Sequence, residues 1–156
     1  MALALDPEAL NANLYMGIAQ SLLASDLEDL QEITQALDAA THHLEACLRI
    51  DPEFIPALNS LSIVAMDRAD LEIDLGGDPV GFYSIAIDSL DVACRLAAEL
   101  PPLHNNLARA RILRAKALVD RGVDPLGDLQ TARAGLARAS KIAPDYTSPL
   151  YNLGLS

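Results

Sequence analysis

Apolar and small residues recur along the chain at a spacing of 45 or 46 positions. One column is an alanine followed four residues later by a leucine, at Ala40 and Leu44, Ala86 and Leu90, and Ala132 and Leu136. A second column is a small residue directly after a large apolar one, at Gly17, Ser62, Ala108 and Gly154. Apolar residues three and four apart form the stripe of an amphipathic helix. The long period therefore predicts an array of stacked helix pairs.

Turn signals divide each repeat into two helices. Asp78 and Pro79 directly follow a Gly-Gly pair. Asp124 and Pro125 follow Gly122 with one residue between. Aspartate is a good N-cap, proline suits the first helical turn, and glycine ends the preceding helix. These signals predict first helices over about 58–75 and 105–121, with Ser25 and Asp26 as the cap in the first unit. Three units are expected at 10–54, 55–100 and 101–146, with partial units at 1–9 and 147–156.

The two columns resemble the tetratricopeptide repeat, in which the first helix of each pair is called helix A and the second helix B. Helix A carries a large residue before a small one. Helix B carries the spacing seen here in Ala40, Leu44, Cys47, Ile50 and Pro52. The resemblance covers nearly the whole chain, although each unit is about a dozen residues longer than the family's repeat of about 34. It implies an all-α, right-handed α-solenoid of antiparallel helix pairs, forming a single array over 1–156.

The resemblance also implies a function. Members of the family bind a peptide or protein segment in a concave groove lined by helix A, so this chain is expected to be a non-catalytic protein-protein interaction module. The matching groove positions are Tyr15, Ile18, Asn59, Ile63, Met66, Asn105, Asn106, Arg109, Ile112 and Lys116. A clamp for a peptide carboxylate is a narrower alternative, opposed by the acidic Asp67 and Asp70. Long units with this Gly-x-Asp-Pro turn are similar to arrays in larger bacterial signalling proteins.

Charge separates the two parts of the chain. The net charge of −11 argues against a nucleic-acid partner. Residues 1–104 hold 3 basic and 18 acidic side chains, whereas residues 105–156 hold 8 basic and 4 acidic ones. Arg109 and Lys116 share a helical stripe, while Arg111 and Arg114 lie on another. The basic end is expected either to bind a partner with an acidic tail or to be an ordinary solvated helix face.

Catalytic and cofactor motifs are missing from the sequence, so no enzyme activity and no cofactor are expected. His42 and His43 are neighbours on a helix and point about 100° apart, which makes them poor ligands for one metal. His104, near the start of a helix, suggests a capping role. Cys47 and Cys94 are expected to be free thiols. No run of about twenty apolar residues and no secretory signal is present, so a cytoplasmic protein without membrane insertion is expected.

The two ends of the sequence support an alternative function. Residues 1–9 resemble the end of a helix B and residues 150–156 the start of a helix A, which is the pattern of a segment from a longer array. If the array ended there, Leu150, Tyr151 and Leu153 would leave an apolar end face. The chain would then be a self-assembling spacer or oligomerisation module that associates through its terminal helix faces.

Overall fold

A computed structural model describes residues 6–145, and this part of the chain forms helices joined by short turns. No β-strand occurs within the described range. Each helix packs against the next one along the chain, and the first helix also contacts the third. The predicted all-α class is therefore confirmed for these residues. The six helices are α1 (Pro7–Asp26), α2 (Leu30–Ile50), α3 (Ile55–Asp74), α4 (Val80–Leu96), α5 (Pro101–Asp120) and α6 (Leu126–Ile142).

Aspartate caps begin the first two helices. The side chain of Asp6 accepts two backbone N–H groups in the first turn of α1, and Asp29 does the same in α2. These bonds satisfy donors that a helix start otherwise leaves without partners. The predicted cap at Ser25 and Asp26 is wrong, because α1 continues through Asp26 and the chain turns after it. Asp6 likewise opens a helix instead of closing one, and residues 1–5 lie outside the described range.

The later pairs start one residue beyond the predicted position. Helices α4 and α6 begin at Val80 and Leu126, so the N-cap residue is the proline and not the aspartate. Asp78 and Asp124 still help, because their carboxylates accept the backbone N–H of Val80 at 3.1 Å and of Leu126 at 2.9 Å. The Asp-Pro signal therefore marks the correct turns.

Glycine ends α3 and α5 as predicted. Gly76 and Gly122 have positive φ angles of 76° and 69°, in the left-handed region that side chains other than glycine rarely adopt. Beyond each of them a backbone N–H reaches a carbonyl five residues earlier, from Gly77 to Glu72 and from Val123 to Leu118. This is the hydrogen-bond pattern of a Schellman turn, and it reverses the chain into the next helix.

The columns of small residues lie where helices touch. Ala40, Ala86 and Ala132 are buried, as are Ser62 and Ala108 of the other column. Two helices approach closely at Gly17, where an added Cβ would lie 2.7 Å from Leu44 Cγ. Residue size therefore sets how closely paired helices pack, as the column pattern predicts.

Three clusters form the described core. The first joins α1 and α2 to α3, and the second joins α3 and α4 to α5. The third comprises Ala108, Ala132 and Leu136, with Ile112 packed against it. The first and second helix pairs therefore each complete their core with the first helix of the following pair. The predicted helix at 150–156 lies outside the described residues.

Candidate functional site

The residues predicted to line the groove lie on α1, α3 and α5. Tyr15, Ile63, Arg109 and Lys116 are exposed, and Ile18, Asn59, Asn106 and Ile112 are half-buried. Met66 and Asn105 are buried, with 2 % and 7 % of their surface exposed. Those two side chains support the core and are not accessible to a partner. The accessible part of the predicted set therefore comprises the other eight residues.

One pair of predicted residues joins two helices directly. The Asn106 amide donates a hydrogen bond of 3.0 Å to the Asn59 carbonyl oxygen, so that α5 is held beside α3 on this face. Each amide uses one polar atom in this bond and keeps its other polar atom for further contacts. The contact shows that equivalent first helices of neighbouring pairs lie side by side here.

The basic side chains of α5 lie on two different sides of the helix, as their spacing predicts. Arg109 and Lys116 are exposed and form no ion pair among the described residues. Arg111 and Arg114 point the other way, toward carboxylates of α4 and α6. Arg121, at the end of the helix, pairs with Asp78 at 3.0 Å. Arg109 and Lys116 are therefore the α5 cations outside ion pairs.

A buried ion network holds α4, α5 and α6 together. Asp128 is 7 % exposed and receives two hydrogen bonds from Arg114, at 2.7 and 2.8 Å, and a third from Arg111 at 3.3 Å. Arg111 also reaches Asp91 at 2.9 Å. The bond from Arg114 and the two positive charges lower the pKa of Asp128 against the opposing effect of burial. Helical spacing puts Arg111 and Arg114 on a different stripe from Arg109, but no sequence signal identifies Asp128 as their partner.

Carboxylates of α3 lie beside the exposed cations. Burial raises the pKa of Asp67, the neighbouring charge of Asp70 raises it further, and Arg109 partly offsets both effects. Asp70 accepts a hydrogen bond of 2.8 Å from the Tyr83 hydroxyl. Burial and this bond raise the pKa of Tyr83. The surface of α3 and α5 therefore carries both acidic and basic side chains. It does not have the purely basic character that a carboxylate clamp needs.

A cavity of about 520 Å³ opens between the end of α3, the start of α4 and the second half of α5. Ile73, Tyr83, Leu113 and Ala117 supply apolar wall, and the predicted residue Lys116 lies at its lining. The lining also includes Asp70, Gly76, Gly77, Asp78, Pro79, Asp120 and Arg121. Sequence reasoning treated the Gly-Gly-Asp-Pro turn only as a helix stop and start. The signal it missed is Gly76, because an added Cβ there would meet no atom within 4 Å and the turn is therefore open on that side.

The histidines and cysteines do not form a metal site. No group of three or more metal-ligating side chains occurs in residues 6–145. His43 contacts the Asn13 amide, and buried His104 contacts the Ala98 carbonyl oxygen at 2.7 Å, so His104 secures the preceding turn and is not an N-cap. Cys47 and Cys94 are free, as predicted. Burial raises the pKa of both thiols, that of Cys94 to about 11 with Asp91 contributing.

Comparison with known proteins gives no relative, because no protein-family model and no curated protein matches the chain. The tetratricopeptide resemblance therefore stays a prediction from its residues. Over the part of the chain that the structure describes, none of the helices has both the length and the apolar character that a bilayer span requires.

Proposed function

We propose that the three helix pairs form a right-handed solenoid of the tetratricopeptide kind, and that the chain is a non-catalytic interaction module. Its α3–α5 face, which carries the accessible predicted residues Asn59, Ile63, Asn106, Arg109, Ile112 and Lys116, would hold a peptide or protein segment. The observation that supports this most is the cavity beside Lys116, because a partly apolar recess next to a cation outside ion pairs suits a partner side chain. In line with the resemblance, we also propose a larger bacterial, cytoplasmic protein as its setting.

The apolar wall would contribute most of the affinity. A volume of about 520 Å³ accommodates one or two large side chains, and Ile73 is 53 % exposed at the opening. Burying one leucine or phenylalanine side chain contributes about 1.5–3 kcal/mol. A segment with an apolar anchor is therefore the partner chemistry that this recess fits best.

Charged side chains would affect which segments bind most tightly. Arg109 and Lys116 favour an acidic residue near the anchor, through charge-assisted hydrogen bonds. Asp70 and Asp120 line the same cavity and oppose an acidic group. The acidic residue is therefore expected to contribute less than the apolar anchor, which keeps the predicted acidic tail as a secondary feature of the partner.

A peptide selection on the full chain would test the proposal. Peptides displayed at random would be selected on the wild-type protein, and their dissociation constants measured by calorimetry. Ile73→Glu should weaken the selected peptides at least tenfold, because it places a charge at the cavity opening. Ile85→Glu is the matched control, since Ile85 is similarly exposed on α4 and away from this cavity.

A second pair of variants tests the charges. Arg109→Glu combined with Lys116→Glu should weaken acidic peptides more than neutral ones and leave helicity unchanged, while Arg95→Glu on α4 should have no effect. Peptides that bind Ile73→Glu and the double variant as tightly as the wild type would show that the α3–α5 face is not the partner site.

A further inference from the structure

The inward faces of α3 and α5 use the same columns of the repeat. Toward the first core cluster α3 contributes Ala57, Leu61, Val64 and Leu71, and toward the second cluster α5 contributes Leu103, Ala110 and Ala117. Subtracting 46 from each α5 position gives 57, 64 and 71, all members of the α3 set. In both helices this face is covered by the pair that precedes it.

Within residues 6–145, the equivalent face of α1 has no such cover. Subtracting 45 from the α3 positions gives Ala12, Met16, Ala19 and Asp26, and all four are exposed, Met16 by 47 %. Leu23, on the same side of the helix, is 48 % exposed. The equivalent Leu61 and Val64 are 7 % and 1 % exposed. The described part of the chain thus buries this apolar face at α3 and at α5 but leaves it exposed at α1.

The opposite end of the described array presents the matching surface. Leu37 of α2 and Tyr83 of α4 are each 2 % exposed in the core clusters that α3 and α5 complete. Their equivalent on α6 is Leu129, which is 43 % exposed, and Leu126 beside it is 54 % exposed. Among the described residues, nothing covers the side of α6 that corresponds to the one α2 and α4 bury beneath the next helix pair.

Charge identifies which surface fits α1. Ile87 of α4 and Ala117 of α5 belong to the same buried cluster. Their equivalents at the two ends are Arg133 on α6 and Asp26 on α1, which are exposed and oppositely charged. The acidic N-terminal part and the basic C-terminal part add a long-range attraction between the same two ends.

We propose that the open face of α1 binds α6 of a second copy of this chain, head to tail. The contact would repeat the way in which α2 receives α3 and α4 receives α5. It is heterologous, so the copy at each end of a row keeps one free face and the association does not close at a dimer. This surface is separate from the α3–α5 cavity, so neither proposal depends on the other.

Sedimentation of the full chain over a hundredfold range of concentration tests the contact. The weight-average mass should rise past twice 16.6 kDa as concentration increases. Met16→Glu and Leu129→Glu should each stay at the monomer mass with unchanged helicity. An equal mixture of the two variants should reach the dimer mass and stop there, because each variant has one intact end.

Controls make each outcome decisive. Leu75→Glu changes an apolar residue that is 50 % exposed at the α3–α4 turn, and it should associate like the wild type. Asp26→Arg and Arg133→Asp should each weaken association about tenfold, and the chain carrying both changes should recover it. Three results would overturn the proposal: a wild type that stays monomeric throughout, a dimer that does not grow, or growth that survives Met16→Glu and Leu129→Glu.

Discussion

Replacing Gly17 by alanine should destabilise the protein, even though alanine is the better helix former. An alanine in place of a helical glycine gains about 1 kcal/mol of intrinsic propensity. At Gly17 the new methyl group would lie 2.7 Å from Leu44 Cγ, 2.9 Å from Leu44 Cδ2 and 3.3 Å from the Ala40 carbonyl oxygen. Leu44 is fully buried and the nearest atom is its branch point, so the side chain has little space to move away.

The balance of these two effects sets the magnitude. Adding a methyl group to a filled core costs about 1–3 kcal/mol. The net change for Gly17→Ala is therefore a loss of about 1 kcal/mol, which corresponds to about 2–4 °C in Tm for a protein of this size. Gly135 of α6 is the matched control, because an added Cβ there meets its nearest atom, the His104 carbonyl oxygen, at 3.6 Å. Gly135→Ala should therefore stabilise the protein by about 0.5–1 kcal/mol.

Urea unfolding followed by circular dichroism would measure both variants against the wild type. The two alanine substitutions should shift the midpoint in opposite directions, with similar denaturant slopes. A Gly17→Ala protein as stable as the wild type, or more so, would show that α1 and α2 do not approach as closely as described.

Three further predictions follow from the core, the ion network and the thiols. Ala86→Leu should lower the free energy of unfolding by about 1–3 kcal/mol, since Ala86 is fully buried in the second cluster; an unchanged melting curve would refute the packing. Asp128→Asn should cost about 1–3 kcal/mol at pH 7, because it leaves arginine N–H donors without their shared carboxylate while Arg111 keeps its bond to Asp91. The pKa of Asp128 is lowered in the folded state, so its contribution is complete above about pH 5 and is lost as the pH falls through that lowered pKa. The difference in free energy of unfolding between wild type and variant, measured by urea unfolding, should accordingly become smaller below about pH 4. A difference that does not change with pH would contradict this. Iodoacetamide at pH 8 should modify Cys94 and Cys47 much more slowly than a free model thiol, because burial raises the pKa of both. Half-buried Cys94 should react ahead of fully buried Cys47 because its sulfur is more accessible, and the reverse order in mass spectrometry of the peptides would contradict this.

Sequence periodicity predicted the helices because it reflects packing within each unit. The alanine and leucine columns mark buried positions, and Gly76 and Gly122 mark helix ends by a backbone requirement that few other residues meet. The first cap was misplaced because several acidic residues follow one another at that turn. Only the turn geometry shows that Asp29, and not Asp26, is the cap.

The site was harder to predict because it depends on contacts between units. Helical spacing separated Arg109 from Arg111, but no pattern along the chain could show that Asp128 would meet Arg111 and Arg114 from the next helix. Asp128 stands where the preceding pair has Phe82, so the repeat itself predicts an apolar residue there. The cavity arises in the same way, because its walls come from three different helices.

The ion network also bears on how the array opens. The third cluster contains only Ala108, Ala132 and Leu136 as buried residues of the described range, so apolar contacts hold α6 less firmly than they hold α2 or α4. The charged bonds through Asp128 connect α6 to α5, and through Arg111 to α4. Amide hydrogens of α6 should therefore exchange with deuterium sooner than those of α2. In this protein, the cooperativity of the last pair with its neighbours is therefore expected to depend on these charged bonds more than on apolar packing.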